Sequence, residues 1–466
     1  MPTINAISLP VGPSPIYRGG DFANPVDVRT AFTLALSKMY RNEVPLYENL
    51  VQIVHAVNAD MLSGHPDSMK DALLSQRLDL ERHGAIRLGT PFELRTMARL
   101  FAILGLRAVG YYDLSVAGLP MHGTCFRPVD LESLDQNPFR VFTTLLRPEL
   151  IGNDETRELA LKLLSRRHIF SGRLLELINC AERQNGILQI CEVEEFIHEA
   201  LKTFSWMPEA SASKEEYTKL SKEHPILADI ASFQTAHINH LTPRTLNIGA
   251  SQVQMRKQGL QVKDRIEGPP PRQCPILLRQ TSFLALEEQI KFRDNQGTLI
   301  QGTHRARFGE IEERGAAVTI AGRKLYDELL TKATSNICKG LGTQGPGAMD
   351  EAMRDAFKAY PDTWSELRTG SFDITGMLSL EDLVDRGHLK AEPVTYEDFL
   401  PFSAAGIFAS NLDKGQDEPL QANANPNQQD FENALGSVLL EPEALYADIQ
   451  RKSIVRCGLA PGLVTY

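Results

Sequence analysis

The nine residues Ala236–Arg244, A-H-I-N-H-L-T-P-R, constrain the fold of this chain more than any other stretch. They set two histidines, three positions apart, among β-forming residues and stop at Pro243. In an extended segment side chains alternate, so His237 and His240 fall on opposite faces and only one of them enters a given pocket. A metal site built here must therefore draw its other ligands from elsewhere. His83 in E-R-H-G-A-I-R and a carboxylate in R-F-G-E-I-E are the candidates, and Glu310 and Glu312 share one strand face. The resulting set is two histidines and one carboxylate. His237 or His240, and Glu310 or Glu312, remain open at this point.

Composition narrows the partners. The 466 residues carry a net charge of −10, which argues against nucleic acid as a main partner. The arginines cluster near the candidate motifs, which points to an anionic small molecule. Six scattered cysteines without a C-x-x-C pair indicate neither a zinc knuckle nor a disulfide framework, and fit reduced thiols inside a cell. No stretch approaches the roughly 20 apolar residues that span a bilayer, and the N-terminus has no signal-peptide pattern. The expectation is a cytoplasmic protein without a membrane partner; oligomeric state is not set by the sequence.

Along the chain, V-R-T-A-F-T-L-A-L-S-K-M-Y and Y-E-N-L-V-Q-I-V-H-A-V-N read as a helical pair around Pro45, with His55 packed. His65 reads as an exposed turn residue. His83 and Arg87 share a strand face, so a ligand and a guanidinium could hold two ends of an anion in one cavity. A helix starting at Thr90-Pro91 is followed by strands R-A-V-G-Y-Y-D-L and M-H-G-T-C-F-R-P, where His122 could support the same cavity. N-P-F-R-V-F-T-T-L-L reads as β structure, with Arg140 and Arg147 as possible anion contacts.

Residues 153–206 have helical spacing, with His168 and His198 solvated, and a polar helix then leads to the strand of His237 and His240. I-L-L-R-Q-T-S-F is a strand from which Arg279 and Ser282 could reach a ligand. G-T-H-R-A-R-F-G-E-I-E-E-R-G reads as one alternating strand ending at Gly315, in which Glu310 and Glu312 could instead pair with Arg305 and Arg307. G-L-G-T-Q-G-P-G lacks the phosphate-loop lysine and reads as a flexible loop. Y-E-D-F-L-P-F-S-A-A-G-I-F reads as an acidic helical start running into an anion-cradling turn at Ser403–Gly406. Residues 413–427 read as a surface loop.

The motifs H-G-A-I-R, Y-Y-D-L, F-R-P, N-P-F-R-V-F-T, H-I-N-H-L-T-P-R-T-L, E-G-P-P, P-I-L-L-R-Q-T-S-F, A-R-F-G-E-I-E-E-R-G and Y-E-D-F-L-P-F-S-A-A-G-I-F run in order from about Arg82 to Phe408. Together they resemble the 2-oxoadipate dioxygenase/decarboxylase family. That resemblance implies an α+β fold with a vicinal oxygen chelate-like cupped mixed β-sheet around a single metal, plus helical insertions and a C-terminal extension. It divides the chain into residues 20–150 and 229–330 as two parts of the metal-binding core. Residues 151–228 are then a helical insertion, and 331–466 an extension closing the substrate pocket.

By the same resemblance His83 is the first Fe(II) ligand and Arg87 clamps a substrate carboxylate. I-N-H-L is similar to the V-D-H-I of hydroxyphenylpyruvate dioxygenases, which favours His240 over His237; F-G-E-I is similar to their F-F-E-I, which favours Glu310 over Glu312. Phe402 and Ser403 would contact substrate, with Phe402 bulkier than the valine of many members. The implied reaction takes 2-oxoadipate, a 2-oxo dicarboxylic acid, and dioxygen to 2-hydroxyglutarate and carbon dioxide in lysine breakdown. A metal-dependent isomerase or lyase, and a non-catalytic dicarboxylate sensor, are the competing expectations on the same fold.

Overall fold

A computed structural model describes residues 21–63, 69–294, 298–338, 347–368, 384–385, 390–400 and 426–456. Helices α1 (Pro25–Glu43), α2 (Leu46–Ser63) and α3 (Met69–Leu80) precede strand β1 (Arg82–Leu88). Next come α4 (Pro91–Ile103), β2 (Arg107–Asp113), β3 (Met121–Arg127), α5 (Leu131–Gln136) and β4 (Arg140–Leu146). Between β4 and β5 (Leu241–Pro243) lie α6 (Asp154–Leu164), α7 (Gly172–Arg183), α8 (Ile190–Phe204), α9 (Lys214–Glu223) and α10 (Pro225–Ser232). Then follow α11 (Ile248–Lys257), β6 (Leu278–Ser282), β7 (Glu287–Arg293), β8 (Leu299–Arg305) and β9 (Glu310–Arg314). The described chain closes with α12 (Ile320–Cys338), α13 (Ala348–Ala356), α14 (Trp364–Arg368), α15 (Gln428–Leu435) and α16 (Pro442–Arg456).

Local chemistry starts several helices where the sequence suggests. The Thr90 side chain accepts from the Glu93 N–H while Pro91 occupies the first turn of α4, and Ser213 and Glu216 form a reciprocal capping box on α9. The main sheet has the order β2-β3-β4-β1-β5 and is mixed, because β1 runs parallel to β4 and the other neighbours are antiparallel. This is the expected α+β class with a mixed sheet. Every residue of β1, β3 and β4 is buried, so apolar layers must cover both faces. One core includes Phe32, Phe101, Phe126 and Phe204 from α1, α4, β3 and α8; a second includes Phe142, Leu227, Leu278 and Phe399.

Beyond β5 the sheet passes to β9 through a parallel bridge between Arg244 and Glu312, reinforced by the Thr245 N–H donating to Glu312 O at 2.7 Å. β9 in turn pairs with β6. The strands β4, β1, β5, β9 and β6 thereby line up in space although they are far apart in sequence.

Four local expectations change. The H-I-N-H segment is not a paired strand: Ala236 and Ile238 donate backbone bonds to Thr203 and Phe204 at the end of α8, and Asn239 donates to Ala85 of β1. The alternating run ending at Gly315 is two strands, because Arg307 turns out of line to pair with Glu43 and Glu288 while the Phe308 N–H bonds Asn239 O. Residues 395–400 are irregular with a single bridge at Thr395, not a helical start, since Tyr396 joins Gly315 and both Glu397 and Asp398 are buried in arginine pairs. His55 is exposed on α2. His65, the glycine-rich run at 340–346, Phe402, Ser403, the turn at 403–406 and most of 413–427 lie outside the described residues.

Gly315 ends β9 for a steric reason: a Cβ there would stand 2.3–2.4 Å from backbone atoms of Pro275 and Ile276. Backbone cannot rotate aside as a side chain can, so Gly315→Ala should lower unfolding free energy by about 1–3 kcal/mol. Urea denaturation of the two proteins checks this; an unchanged midpoint would show that the close approach is not rigid.

Candidate metal centre

β1 brings its residues into register with both neighbours: His83 lies opposite Arg140 of β4 and Thr242 of β5. Residues two apart in an extended chain share a face, so His240 projects on the side of Thr242 and reaches His83. Gly84 permits this approach, because a Cβ would meet Ile238 Cδ1 at 2.4 Å and His240 O at 3.1 Å. On β9, Glu310 and Glu312 point to the same side, opposite Ser282 and Gln280 of β6.

The histidine ring stands between the two carboxylates. His83 Nε2 is 3.0 Å from Glu310 Oε1 and His83 Nδ1 is 2.8 Å from Glu312 Oε2; His240 Nε2 is 3.9 Å from Glu310 Oε1. Thr242 Oγ1 and Gln280 Nε2 each donate to Glu310 Oε1, at 3.1 and 3.0 Å. Glu312 is held by Arg314, which donates to both its oxygens at 2.9 and 2.8 Å, and by Arg140 at 3.2 Å. Phe399 and Phe308 form aromatic walls against His83 and His240.

Electrostatics gives each group a role. Burial, followed by the charges of His83 and Arg87, keeps the His240 pKa well below its ordinary value, so this imidazole is neutral, the form that binds metal. Burial opposes the Glu312 charge but Arg314 and His83 outweigh it, and its pKa falls well below the usual range. Burial pushes the Glu310 pKa up, with His83 acting against it. For His83, burial is outweighed by Glu312 and Glu310 and the pKa rises.

His83, His240 and Glu310 offer ligand atoms that all lie within 4.8 Å of one another. All four ring nitrogens of the two histidines are buried without a hydrogen bond of good geometry. Buried polar atoms are seldom left so, and an ion accepting one nitrogen from each ring would resolve the strongest of these deficits. Glu312 beside Nδ1 is then the outer carboxylate that orients a ligating histidine. The residues fit a divalent first-row metal with oxygen and nitrogen donors.

His237 is directed elsewhere, as strand alternation requires. It joins Asp229 of α10 and His304 of β8 in a second buried group with ligand atoms within 4.8 Å of one another. Arg87 lies between the two groups: its Nη1 donates to Asp229 Oδ2 at 2.5 Å, and its charge acts on His240. Arg305 and Arg307 pair with Glu287 and with Glu43 and Glu288, so they do not compete for Glu310 and Glu312.

Other sequence candidates have structural partners. His122 lies at hydrogen-bond distance from Tyr111 and packs on Phe431, away from the metal group; Arg147 pairs with Glu149, and Arg279 with Glu313. Asp229, Thr242, Gln280 and Glu397 were not recognised in the sequence. Only Asp229 carried a local signal, as a lone carboxylate in the apolar run P-I-L-A-D-I-A-S.

Two imidazoles and a carboxylate, brought together by β1, β5 and β9, define a candidate metal centre of the two-histidine, one-carboxylate class on an α+β fold. The model of the 2-oxoadipate dioxygenase/decarboxylase family matches residues 32–411. Relatives of that name from Pseudomonas putida and Escherichia coli are 46% and 44% identical, over 95% and 93% of this chain and 98% of theirs. A solved hydroxyglutarate synthase from Pseudomonas putida, in complex with 2-oxoadipate, superposes with a TM-score of 0.83 at 44% identity, covering 94% of this chain and 99% of that one. The chain belongs to the 2-oxoadipate dioxygenase/decarboxylase family.

Metal analysis separates the two histidines. His83→Ala, His240→Ala and Glu310→Ala should each lose bound metal, His237→Ala should keep it, and Glu312→Gln should weaken it roughly 10–100-fold. Metal content after dialysis, with chelator competition for the affinity, reads each outcome; loss of metal in His237→Ala alone would contradict the assignment.

Proposed function

We propose that this chain is an Fe(II)-dependent oxygenase that converts 2-oxoadipate and dioxygen to 2-hydroxyglutarate and carbon dioxide, in the cytoplasm and within lysine catabolism. The observation that carries the reading is the convergence of His83, His240 and Glu310 in one buried cluster of a family member. The 2-oxoadipate held by the Pseudomonas putida hydroxyglutarate synthase supports the choice of substrate. Atoms balance: one oxygen atom enters the carboxylate formed at the former keto carbon and the other becomes the new hydroxyl. His83, His240 and Glu310 would hold Fe(II), which would supply the oxygen chemistry on a bound 2-oxo acid.

The protein's part is to bind and orient. His240 is kept neutral, Thr242 and Gln280 fix the Glu310 carboxylate, and Glu312 fixes the His83 ring. Arg87 takes a substrate carboxylate through a charge-assisted contact. It lies four positions along the strand from His83, about 13 Å between Cα atoms, a span that a six-carbon diacid and the arginine side chain can fill together. Burial of the cluster excludes bulk water and strengthens each of these contacts. In the proposed division, 20–150 and 229–330 form the metal-binding core, 151–228 is an insertion, and 331–466 closes the pocket with Phe402 and Ser403 against substrate.

Iron-loaded protein given 2-oxoadipate should consume one dioxygen for each carbon dioxide released and each 2-hydroxyglutarate formed. Turnover without oxygen would instead favour an isomerase or lyase. Phe402→Val should extend the range of accepted 2-oxo diacids to longer chains, read as the ratio of kcat/KM values across a homologous series; an unchanged ratio would remove Phe402 from the pocket.

A further inference from the structure

The buried group of Asp229, His237 and His304 has no part in the metal centre, yet it stands directly against Arg87. Asp229 divides its oxygens between two tasks. Oδ2 accepts from Arg87 Nη1 at 2.5 Å, while Oδ1 is 3.0 Å from His237 Nε2 and 2.9 Å from His304 Nε2. Tyr217 on α9 completes the chain, its hydroxyl 2.8 Å from His304 Nδ1. With the Tyr217 hydroxyl donating, a neutral His304 carries its proton on Nε2, where it donates to Asp229. Trp206 lies parallel to the His304 ring, with centroids 5.8 Å apart, and edge-on to His237 at 4.7 Å; Phe233 packs on both. These walls hold the two imidazoles in place. Turned so that its amide oxygen faces the guanidinium, Asn239 also accepts from Arg87 Nη1, at 3.0 Å.

The same three residues could be imagined around a metal, but their geometry is that of a hydrogen-bonded brace. Both Nε2 atoms approach a single carboxylate oxygen at hydrogen-bond distance, whereas an ion needs the three lone pairs aimed at a common point. The other oxygen is already bound to a guanidinium, whose charge repels a cation. Burial opposes the charge on Asp229, yet Arg87 and then His237 outweigh it and keep this carboxyl ionised.

We propose that Asp229, braced by His237 and His304, is a positioning residue that fixes the Arg87 guanidinium by one nitrogen so that it meets a substrate carboxylate in one orientation. This rests on the reading of Arg87 as the carboxylate clamp. Guanidinium recognition of a carboxylate depends on the planar fork being correctly aimed, so a clamp released from Asp229 binds substrate less well while the metal ligands are untouched.

A double-mutant cycle in steady-state kinetics, with metal content measured for every variant, tests the proposal. Asp229→Asn should raise KM for 2-oxoadipate about tenfold, the loss of one charge-assisted hydrogen bond, with a smaller change in kcat and unchanged iron. His304→Phe, which keeps a ring but no donor, should raise KM in the same direction, and His304→Gln should recover most of the loss. In an Arg87→Ala background, Asp229→Asn and His304→Phe should each add nothing further. Additive effects in that cycle would overturn the proposal, as would Asp229→Asn and His304→Phe leaving KM unchanged while Arg87→Ala raises it. Arg87→Ala with an unchanged KM would instead overturn the clamp itself. A second equivalent of metal that disappears in His304→Phe would make the cluster a metal site and end the positioning role.

Discussion

The contact on which the site depends is that between His83 and Glu312. A buried carboxylate is costly unless it is paired, and Glu312 is paired on every side: with Arg314 through both oxygens, with Arg140, and with His83 Nδ1. With Nδ1 2.8 Å from Glu312, Nε2 is the nitrogen turned toward Glu310. The arginines extend the arrangement outward. Arg140 also binds Glu81 and Glu397, and Arg314 donates to the carbonyls of Tyr396 and Asp398. Asp398 in turn pairs with Arg127 and accepts from Tyr446 of the last described helix. A single row of charge thus ties the strand bearing the first histidine to the segment entering residues 401 onward. Such pairs add little net stability, but removing one partner strands the other, at a cost of about 3–5 kcal/mol.

Much of the site was legible because strand geometry acts at short range. The period of two placed His83 and Arg87 on one face and forced His237 and His240 apart, and the structure separates them into two groups. The same rule could not distinguish Glu310 from Glu312, since both share a face; Glu310 is favoured by its grouping with His83 and His240, while Glu312 is held by Arg314 and Arg140. Asp229 was invisible as a site residue because two of its partners, Arg87 and His304, lie far from it in the chain. The acidic pair in Y-E-D-F suggested a solvated helical start. Buried Arg127 and Arg140, with the half-buried Arg77, reverse that, since paired carboxylates can enter an interior that bare ones cannot. Likewise the long alternating run before Gly315 hid a break at residues 306–309, where Arg307 is drawn to Glu43 and Glu288.

The H-I-N-H segment therefore has two working sides. One histidine faces a carboxylate with open nitrogens suited to an ion, and the other joins a hydrogen-bond network around a guanidinium. Metal chemistry and substrate orientation can then be set independently by residues three apart. This division needs the segment to run between β1 and the end of α8 without a regular partner strand, which its backbone bonds to Thr203, Phe204 and Ala85 achieve.

Anomalous scattering at the iron absorption edge, from crystals of iron-loaded protein grown without oxygen, measures this division most directly. A single peak bounded by His83, His240 and Glu310 is the expected result. A peak among Asp229, His237 and His304 would contradict it.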